Sequence, residues 1–478
     1  MSPNNIAADT TPVIIWFRRD LRLADNPALD KAVQTGRPLI LVYIQDPSYE
    51  SKASGAKNIW LHHSLLSLTQ DIQMRGGELI IRRGAAQDIL NDIIQNTDAK
   101  AIYWNRRYTE SGRCIDAEIK LNFKNRGIDV QSFNGNLLTE PWEIKTKTDG
   151  FYKVFTPYWR SVRSKLKIGD ILPVPSKLLS HKITSLEVSD LNLCPDNLDW
   201  GGTIMQGWNA GEAGAHDRLT QFLENSLEDY AVQRDMAANE SGTSRLSPHL
   251  AHGEISPRQI WNAAMEQSKN PDKFLSEIGW REFSYVLMYN FPKLASENFK
   301  PSFDNFAWGD DPVDLKAWQS GQTGYPFVDA GMRQLWQTGW QHNRVRMVCA
   351  SFLIKHLLQD WRLGEAWYWD TLLEADPASN AASWQWVAGS GADASPYFRI
   401  FNPFSQGEKF DADGDYVRKY VPELAKMPKK YIHRPWEAPA NVLEYAGVTL
   451  GGNYPKPIVD HKYARERALA AYKATREG

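Results

Sequence analysis

The segment Phe274–Phe291, FLSEIGWREFSYVLMYNF, sets a carboxylate, an indole and a guanidinium at helical spacing. Glu277, Trp280 and Arg281 stand three and four positions apart, so one helix face is expected to carry all three. Such a face suits a flat polar ligand: the indole stacks, the carboxylate accepts from a base edge and the guanidinium holds a phosphate. The alternative is an amphipathic helix on which Glu277 and Arg281 form an ordinary surface pair. In GWQHNRVRM, residues 339–347, Asn343, Arg346 and Met347 share a face, although Met is also a common core filler. Between Leu373 and Pro403, Glu374 and Asp376 precede Asn380, Trp384 and Trp386; Gly389-Ser390-Gly391, Asp393 and Arg399 follow. Acids beside a heterocycle pair with its N–H groups, and an Asn amide can face a ring nitrogen. Upstream, Gly242-Thr243-Ser244-Arg245-Leu246-Ser247-Pro248 places hydroxyls, an Arg and backbone N–H groups ahead of a helix. That composition either cradles a phosphate or simply caps the helix.

These side chains need a scaffold, and 478 residues suffice for two to four domains with sizeable cores. Apolar and charged fractions, 42% and 23%, are those of ordinary soluble domains. No apolar run of about 18 residues occurs, so no membrane helix is expected. The start, MSPNNIAADTTP, lacks a basic region followed by an apolar core; residues 1–12 read as a disordered tail rather than a secretory signal. Cys114, Cys194 and Cys349 lie far apart and form neither metal-ligand spacing nor a disulfide framework, which points to a reduced, cytoplasmic setting. Net charge is −2, so any nucleic-acid contact must rest on local positive charge. Residues 333–356 offer Arg333, Arg344, Arg346 and Lys355 with no Asp or Glu. A helix face whose acidic partners lie elsewhere would read the same way. Nineteen tryptophans, most of them after residue 200, can build cores, stacking surfaces or redox relays.

Residues 13–135 alternate strands and helices. Strands are expected at Val13–Phe17, Pro38–Ile44, Glu78–Arg82, Ala101–Trp104 and Asp129–Phe133. Helices are expected at Ala28–Thr35, Asn58–Arg75, Ala85–Asn96 and Ile115–Asn125, the first capped by Asp25-Asn26-Pro27. The alternation predicts an α/β domain, a doubly wound five-stranded parallel sheet whose ligands bind beyond the carboxyl ends of the strands. Neither G-x-G-x-x-G nor a P-loop occurs, so this domain names no nucleotide by itself. Residues 136–210 read as a long, partly helical connector. From 211 to 478 the pattern is all-helical, with apolar periodicity through Leu219–Tyr230, Pro257–Met265, Phe274–Asn290, Val328–Leu358 and Leu363–Leu373.

Those segments, in that order and together with the amino-terminal WFRRDLRLADNPAL, resemble the photolyase/cryptochrome flavoprotein family, and within it class I cyclobutane pyrimidine dimer photolyases. The resemblance runs from about Val13 to the carboxyl terminus. TGYPFVDAGMRQLWQTGWQHNRVRM, WQWVAGSGADASPYFRIFNPFSQGEKFD and RLSPHLAHGEISPRQIW carry it over long ungapped stretches. It implies an α/β antenna domain and a helical domain holding one FAD, folded into a U. By resemblance, Tyr230 and Thr243, Ser244, Arg245, Leu246 and Ser247 contact the adenosine and diphosphate. Asn343, Arg346, Glu374, Asp376 and Asn380 surround the isoalloxazine, with Asn380 facing N5. Trp384, Trp361 and Trp308, 23 and 53 positions apart, match the photoreduction relay. Glu277, Trp280, Met347 and Trp386 match the lesion pocket, and Arg234, Arg281, Arg344 and Arg399 the backbone-gripping positions.

The implied activity is light-driven repair: reduced, anionic FAD gives one electron to a flipped-out pyrimidine dimer, the cyclobutane opens and the electron returns. Flipping costs less at a lesion because its stacking and pairing are already impaired, and Glu277 steadies the charge that develops. The other family activity is cryptochrome-type signalling. Asn380, where plant cryptochromes carry Asp, and the absence of a long tail favour repair. Asn343, where (6-4) enzymes place a His, favours the cyclobutane dimer. The partner is then dimer-containing DNA, with a monomer, no membrane and no obligate protein partner expected. Glu374 stands where Asp is usual; its extra methylene must still reach Arg346. Phe274 stands where Trp is common. Tyr108-Thr109-Glu110 departs from the Tyr-Glu of folate-binding members, so the antenna, expected to be methenyltetrahydrofolate or a deazaflavin, is left open, a flavin or no antenna being the alternatives.

Overall fold

The computed structural model describes residues 10–47, 49, 55–194, 200–394 and 398–477. Most of the expected tail, residues 1–9, lies outside them. Five strands form one parallel sheet: β1 Val13–Phe17, β2 Leu39–Gln45, β3 Leu79–Arg83, β4 Ala101–Asn105 and β5 Asp129–Phe133. Their order is β3-β2-β1-β4-β5, with Val13 in register with Leu39 on one side and Ala101 on the other. Alternate side chains of a strand point to opposite faces. Val13, Ile15 and Phe17 accordingly join one core, with Leu29 and Leu65 of α1 (Pro27–Val33) and α2 (Gly55–Gln73). Ile14 and Trp16 join the other, with Leu90 and Ile119 of α3 (Ala86–Thr97) and α4 (Glu110–Asn125). Both faces are covered, which is why the central strands β1, β2 and β4 read as near-continuous apolar runs. The strand order reverses between β1 and β4, the place where such sheets open a crevice.

The connector carries α5 (Phe155–Lys165) and α6 (Trp200–Ile204). On the way, Leu186 bridges Ile81 of the edge strand β3 and so protects that edge. The helical half follows: α7 Glu212–Asn225, α8 Tyr230–Gln233, α9 Ser247–His252, α10 Pro257–Gln267, α11 Asp272–Asn290, α12 Pro312–Gln319, α13 Pro326–Thr338, α14 Asn343–Ser351, α15 Trp361–Thr371 and α16 Pro377–Ala388. Four more, ending with His461–Glu477, complete it. Among the described residues, no helix is long and apolar enough to cross a membrane.

Two spans that read as single helices are broken. Val328–Leu358 stops at Gly339, whose φ of 62° is left-handed and closes α13. It restarts at His342, the N-cap of α14, and ends in a π turn at Phe352–His356. Leu219–Tyr230 likewise splits between α7 and α8. Buried apolar residues such as Leu335 and Val345 stand on either side of the first break, so apolar spacing alone runs through it, although Trp336, Gln337 and Asn343 are exposed.

Candidate functional site

Helix α16 is the centre of the site and packs against α11, α14 and α15. Its start is fixed by sequence: Asp376 accepts from the N–H of Ala378 (3.2 Å) and Ser379 (2.7 Å), and Pro377 fills the first turn. Just before it, Glu374 accepts from Arg346 of α14 and from the Ser247 hydroxyl at 3.3 Å. The longer Glu side chain therefore still reaches Arg346, and it also ties α14 to the start of α9. Beside them Arg245, at a left-handed φ of 52°, lies over Trp208 (4.3 Å) and Trp340 (5.0 Å). Thr243 Oγ1, Arg245 Nε and Glu374 Oε2 are buried without a hydrogen-bond partner, as is His342 Nε2. Buried polar atoms are normally paired. A ligand rich in both acceptors and N–H groups suits this set.

Asn380, one turn into α16, donates to Glu365 Oε1 (2.9 Å) and to the Glu365 carbonyl (3.1 Å). The amide is thereby held by α15 rather than left to rotate. Asn343 is exposed in the first turn of α14. Trp384 is buried edge-on to Tyr368 (5.1 Å) and to Trp318 (6.2 Å). Trp361 is fully buried, its N–H bonded to Asn298 at 2.9 Å. Trp308 is only half-buried, against Phe306 at 4.3 Å. All three belong to one aromatic core that grades from interior to surface.

A second cluster joins α8, α11 and α14. Arg234 donates to Glu277 and lies over the buried Tyr230 ring at 5.4 Å, while Arg344 donates to Asp235 at 2.8 Å. Trp280 stacks on Phe155 of α5, with centroids 3.8 Å apart and planes 10° apart. Met347 and Trp386 lie half-buried against the same core as the relay tryptophans. Arg399 is exposed, over Phe401 at 4.7 Å.

Some expected groupings do not form. Arg281 leaves the Glu277 face: it is buried and donates to the Asn136 carbonyl (2.9 Å) and to Glu282 (3.2 Å), at the seam between the two halves. With its guanidinium engaged there, it does not pair with Glu277. The basic run 333–356 is not a free patch. Arg333, Arg344 and Arg346 pair with Glu423, Asp235 and Glu374, and Lys355 donates to the Arg399 carbonyl. Distant acids neutralise it, which was the alternative reading of that run. Thr109 caps α4 by accepting from Gly112 at 3.3 Å, and Glu110 is exposed, so Tyr108-Thr109-Glu110 serves first to start a helix.

Three residues not singled out in the sequence enter the site. His342 is buried; its Nδ1 accepts from the Arg344 N–H at 3.2 Å, and desolvation pushes its pKa down to about 4. Tyr285 donates to Asp376 at 2.5 Å, and Arg19 stands 3.9 Å from the same carboxylate. The signal for His342 was its place just before a helix start. Tyr285 and Arg19 act across the fold and have no local signal.

Residues 13–177 match the family model described as DNA photolyase, and residues 274–474 the one described as the FAD binding domain of DNA photolyase. A protein from Agrobacterium fabrum described as a deoxyribodipyrimidine photo-lyase is 52% identical, over 98% of this chain and 99% of its own. Cryptochrome-2 of Arabidopsis thaliana is 38% identical, over 97% of this chain and 79% of its own. The crystal structure described as a bacterial class III photolyase from Agrobacterium tumefaciens covers 100% of both chains, at 51% identity and a TM-score of 0.96. This overturns the class I placement: the long motifs build a pocket shared by the family and do not separate its classes. The pocket's orphaned hydroxyl, guanidinium and carboxylate atoms fit the polar outline of FAD, and the chain belongs to the DNA photolyase family of FAD-dependent, light-driven DNA repair enzymes.

Proposed function

We propose that this protein repairs cyclobutane pyrimidine dimers in DNA, as a photolyase of the class III kind. One observation carries the substrate: Glu277, a partly exposed carboxylate steadied by Arg234, shares α11 with the half-buried indole of Trp280. A flipped base pair needs that combination, an acceptor for its edge and an aromatic wall for its face. Met347 and Trp386 supply further apolar wall. Arg399 is exposed and placed to hold a backbone phosphate, whereas Arg344 and Arg234 are engaged by Asp235 and Glu277 and Arg281 stays at the seam.

FAD supplies a photoexcitable one-electron donor when bound. Thr243, Ser244, Arg245, Leu246 and Ser247, with Tyr230, hold its adenosine diphosphate end. Arg346, Glu374, Asp376 and Asn343 surround its ring. The Asn380 amide is neutral and fixed by Glu365, so it brings no titrating acid to that position. Trp384, Trp361 and Trp308 conduct electrons inward from the surface. Glu277 accepts from the dimer's N–H and so fixes the orientation of its base edge.

A second pigment, methenyltetrahydrofolate or a deazaflavin, belongs to this reading through the family resemblance alone. The crevice beyond β1 and β4 is narrow, and its Arg19, Arg106, Arg107 and Arg281 are already paired with Asp376, Glu140, Asp116 and Glu282. The reading includes a cytoplasmic monomer, with an antenna domain at 13–135, a connector at 136–210 and a catalytic domain at 211–478. The test is blue light on the reduced protein with a dimer-containing oligonucleotide. Restoration of intact thymines in light and not in darkness is expected. Flavin photochemistry without restored thymines would favour the signalling reading.

A further inference from the structure

Lys355 is the odd member of the basic run. Arg333, Arg344 and Arg346 each pair with a carboxylate, whereas Lys355, 2% exposed, pairs with none among the described residues. Its Nζ donates to the Arg399 backbone carbonyl and lies 4.6 Å from the centre of the Phe398 ring. Burial, and then the neighbouring Arg399, push its pKa down to about 7. A buried amine without a counter-ion is unfavourable unless its hydrogen bond matters. This one sits in the π turn Phe352–His356, a rare geometry that recurs at functional sites.

The π turn continues α14, and the end of that helix holds the same segment a second time. The hydroxyl of Ser351, the last residue of α14, accepts from the Phe401 N–H at 3.2 Å. From the last helix, His461–Glu477, Tyr472 stacks on Phe398, with centroids 4.5 Å and planes 7° apart. Phe398 and Phe401 are thereby buried and Ile400 is half-buried, so Arg399 alone of the four is exposed. Its guanidinium lies over Phe401 while its own carbonyl is fixed inside. The other end of α14 carries Asn343, Arg346 and Met347. One continuous element therefore sets where Arg399 stands relative to the pocket. A side chain that must grip a ligand binds more tightly when its backbone is ordered beforehand.

We infer that Lys355, with Ser351, is a positioning residue for DNA binding: it fixes the backbone from which Arg399 grips a DNA phosphate. This rests on the repair reading given above. The experiment titrates FAD-loaded protein in darkness with a dimer-containing duplex oligonucleotide at several salt concentrations. Wild type, Lys355→Met, Arg399→Ala and the double variant are compared. Repair in light by chemically reduced protein at saturating DNA is then measured for wild type and Lys355→Met. Met keeps most of the length and loses the donor. Lys355→Met binds about fivefold or more weakly, a fraction of what a hydrogen bond to a charged group is worth. Its log–log salt slope becomes shallower by up to about 0.9, the share of one phosphate. Its repair rate at saturation stays that of wild type. In the Arg399→Ala background, Lys355→Met costs no further affinity. A FAD-loaded Lys355→Met with wild-type affinity and salt slope overturns the inference, even if its melting temperature drops. Equal losses in both backgrounds overturn it as well, because Lys355 would then act without Arg399. Should Lys355→Met not take up FAD, Ser351→Ala, which removes the second hold, replaces it in the same cycle with the same expected pattern. A wild type with no preference for dimer-containing over intact DNA defeats the proposed function and this inference together. Losses confined to Arg399→Ala defeat only the latter.

Discussion

Arg234, at the end of α8, donates to the Glu277 carboxylate of α11, joining two residues that stand 43 positions apart. The pair is only partly exposed, at 12% and 27% of the two side chains. A base edge that reaches Glu277 must share the carboxylate with this guanidinium. The carboxylate is therefore held in one orientation as the pocket fills.

Glu277→Gln keeps the size of the side chain and removes the charge. Repair per absorbed photon is expected to fall by about tenfold, the worth of the weaker hydrogen bonds to charged groups. FAD content should not change, because Glu277 lies outside the Ser247–Glu374–Arg346 cluster. Wild-type repair by the Gln variant would show that the carboxylate does not touch the dimer.

Trp384→Phe separates two reactions. Trp384 is buried at the inner end of the aromatic core, and Trp308 is half-buried at its outer end. Photoreduction of oxidised protein, followed by absorbance under blue light, is expected to slow strongly. Repair by chemically reduced protein should proceed at the wild-type rate. Equal loss of both activities would remove Trp384 from the relay and place it in the repair step.

His342 gives the acid limb of stability. Burial, with Arg344, Arg346 and Arg234 nearby, lowers its pKa from 6.5 to about 4, while Asp235 opposes the shift. As pH falls below 6.5, the unfolded chain takes up a proton that the folded chain refuses until about 4. Stability is therefore complete above 6.5 and declines as pH drops toward 4. The loss from this group is on the order of 3 kcal/mol. Protonation of Nδ1 would also break the cap on the Arg344 N–H. His342→Gln should flatten the limb in urea titrations at pH 7 and pH 4.5. The buried His356, pushed down to about 3, keeps part of it. An unchanged pH slope would argue that His342 is hydrated in solution.

Much of this fold was legible in the sequence because its signals are local. The central strands β1, β2 and β4 are buried on both faces and leave near-continuous apolar runs, and Asn26-Pro27 announces the start of α1. The flavin pocket was legible only through long motifs shared with a family. What escaped was set by reach and by neighbours distant in sequence. Arg281 crosses to the seam because Asn136 and Glu282 wait there, whereas its spacing from Glu277 suggested a pair. The basic run ending at His356 read as a patch because Glu423, Asp235 and Glu374 lie far from it in the chain. The break at Gly339 was hidden because apolar residues such as Leu335 and Val345 resume on both sides of it.

Gly364 sets the approach of the relay to α15. A Cβ built there would come within 2.1 Å of Trp384 Cη2, 2.4 Å of its Cζ3 and 2.7 Å of Leu353 Cδ2. The indole is rigid and buried, so it cannot yield as a flexible side chain would. Gly364 lies in the same helix as Trp361, three residues on, and so governs how closely Trp384 packs onto the helix that carries the next relay member. Gly364→Ala gains helix propensity, worth about 1 kcal/mol. Overpacking should outweigh it, costing about 1–3 kcal/mol. The net expectation is a lower urea midpoint and slower photoreduction, with repair by chemically reduced protein less affected. Since Trp384→Phe shortens the aromatic side chain at the point of contact, Gly364→Ala should cost less stability in that background than alone. Additive losses in the double variant would show that the clash is not with Trp384, and that the close packing between α15 and α16 does not depend on this glycine.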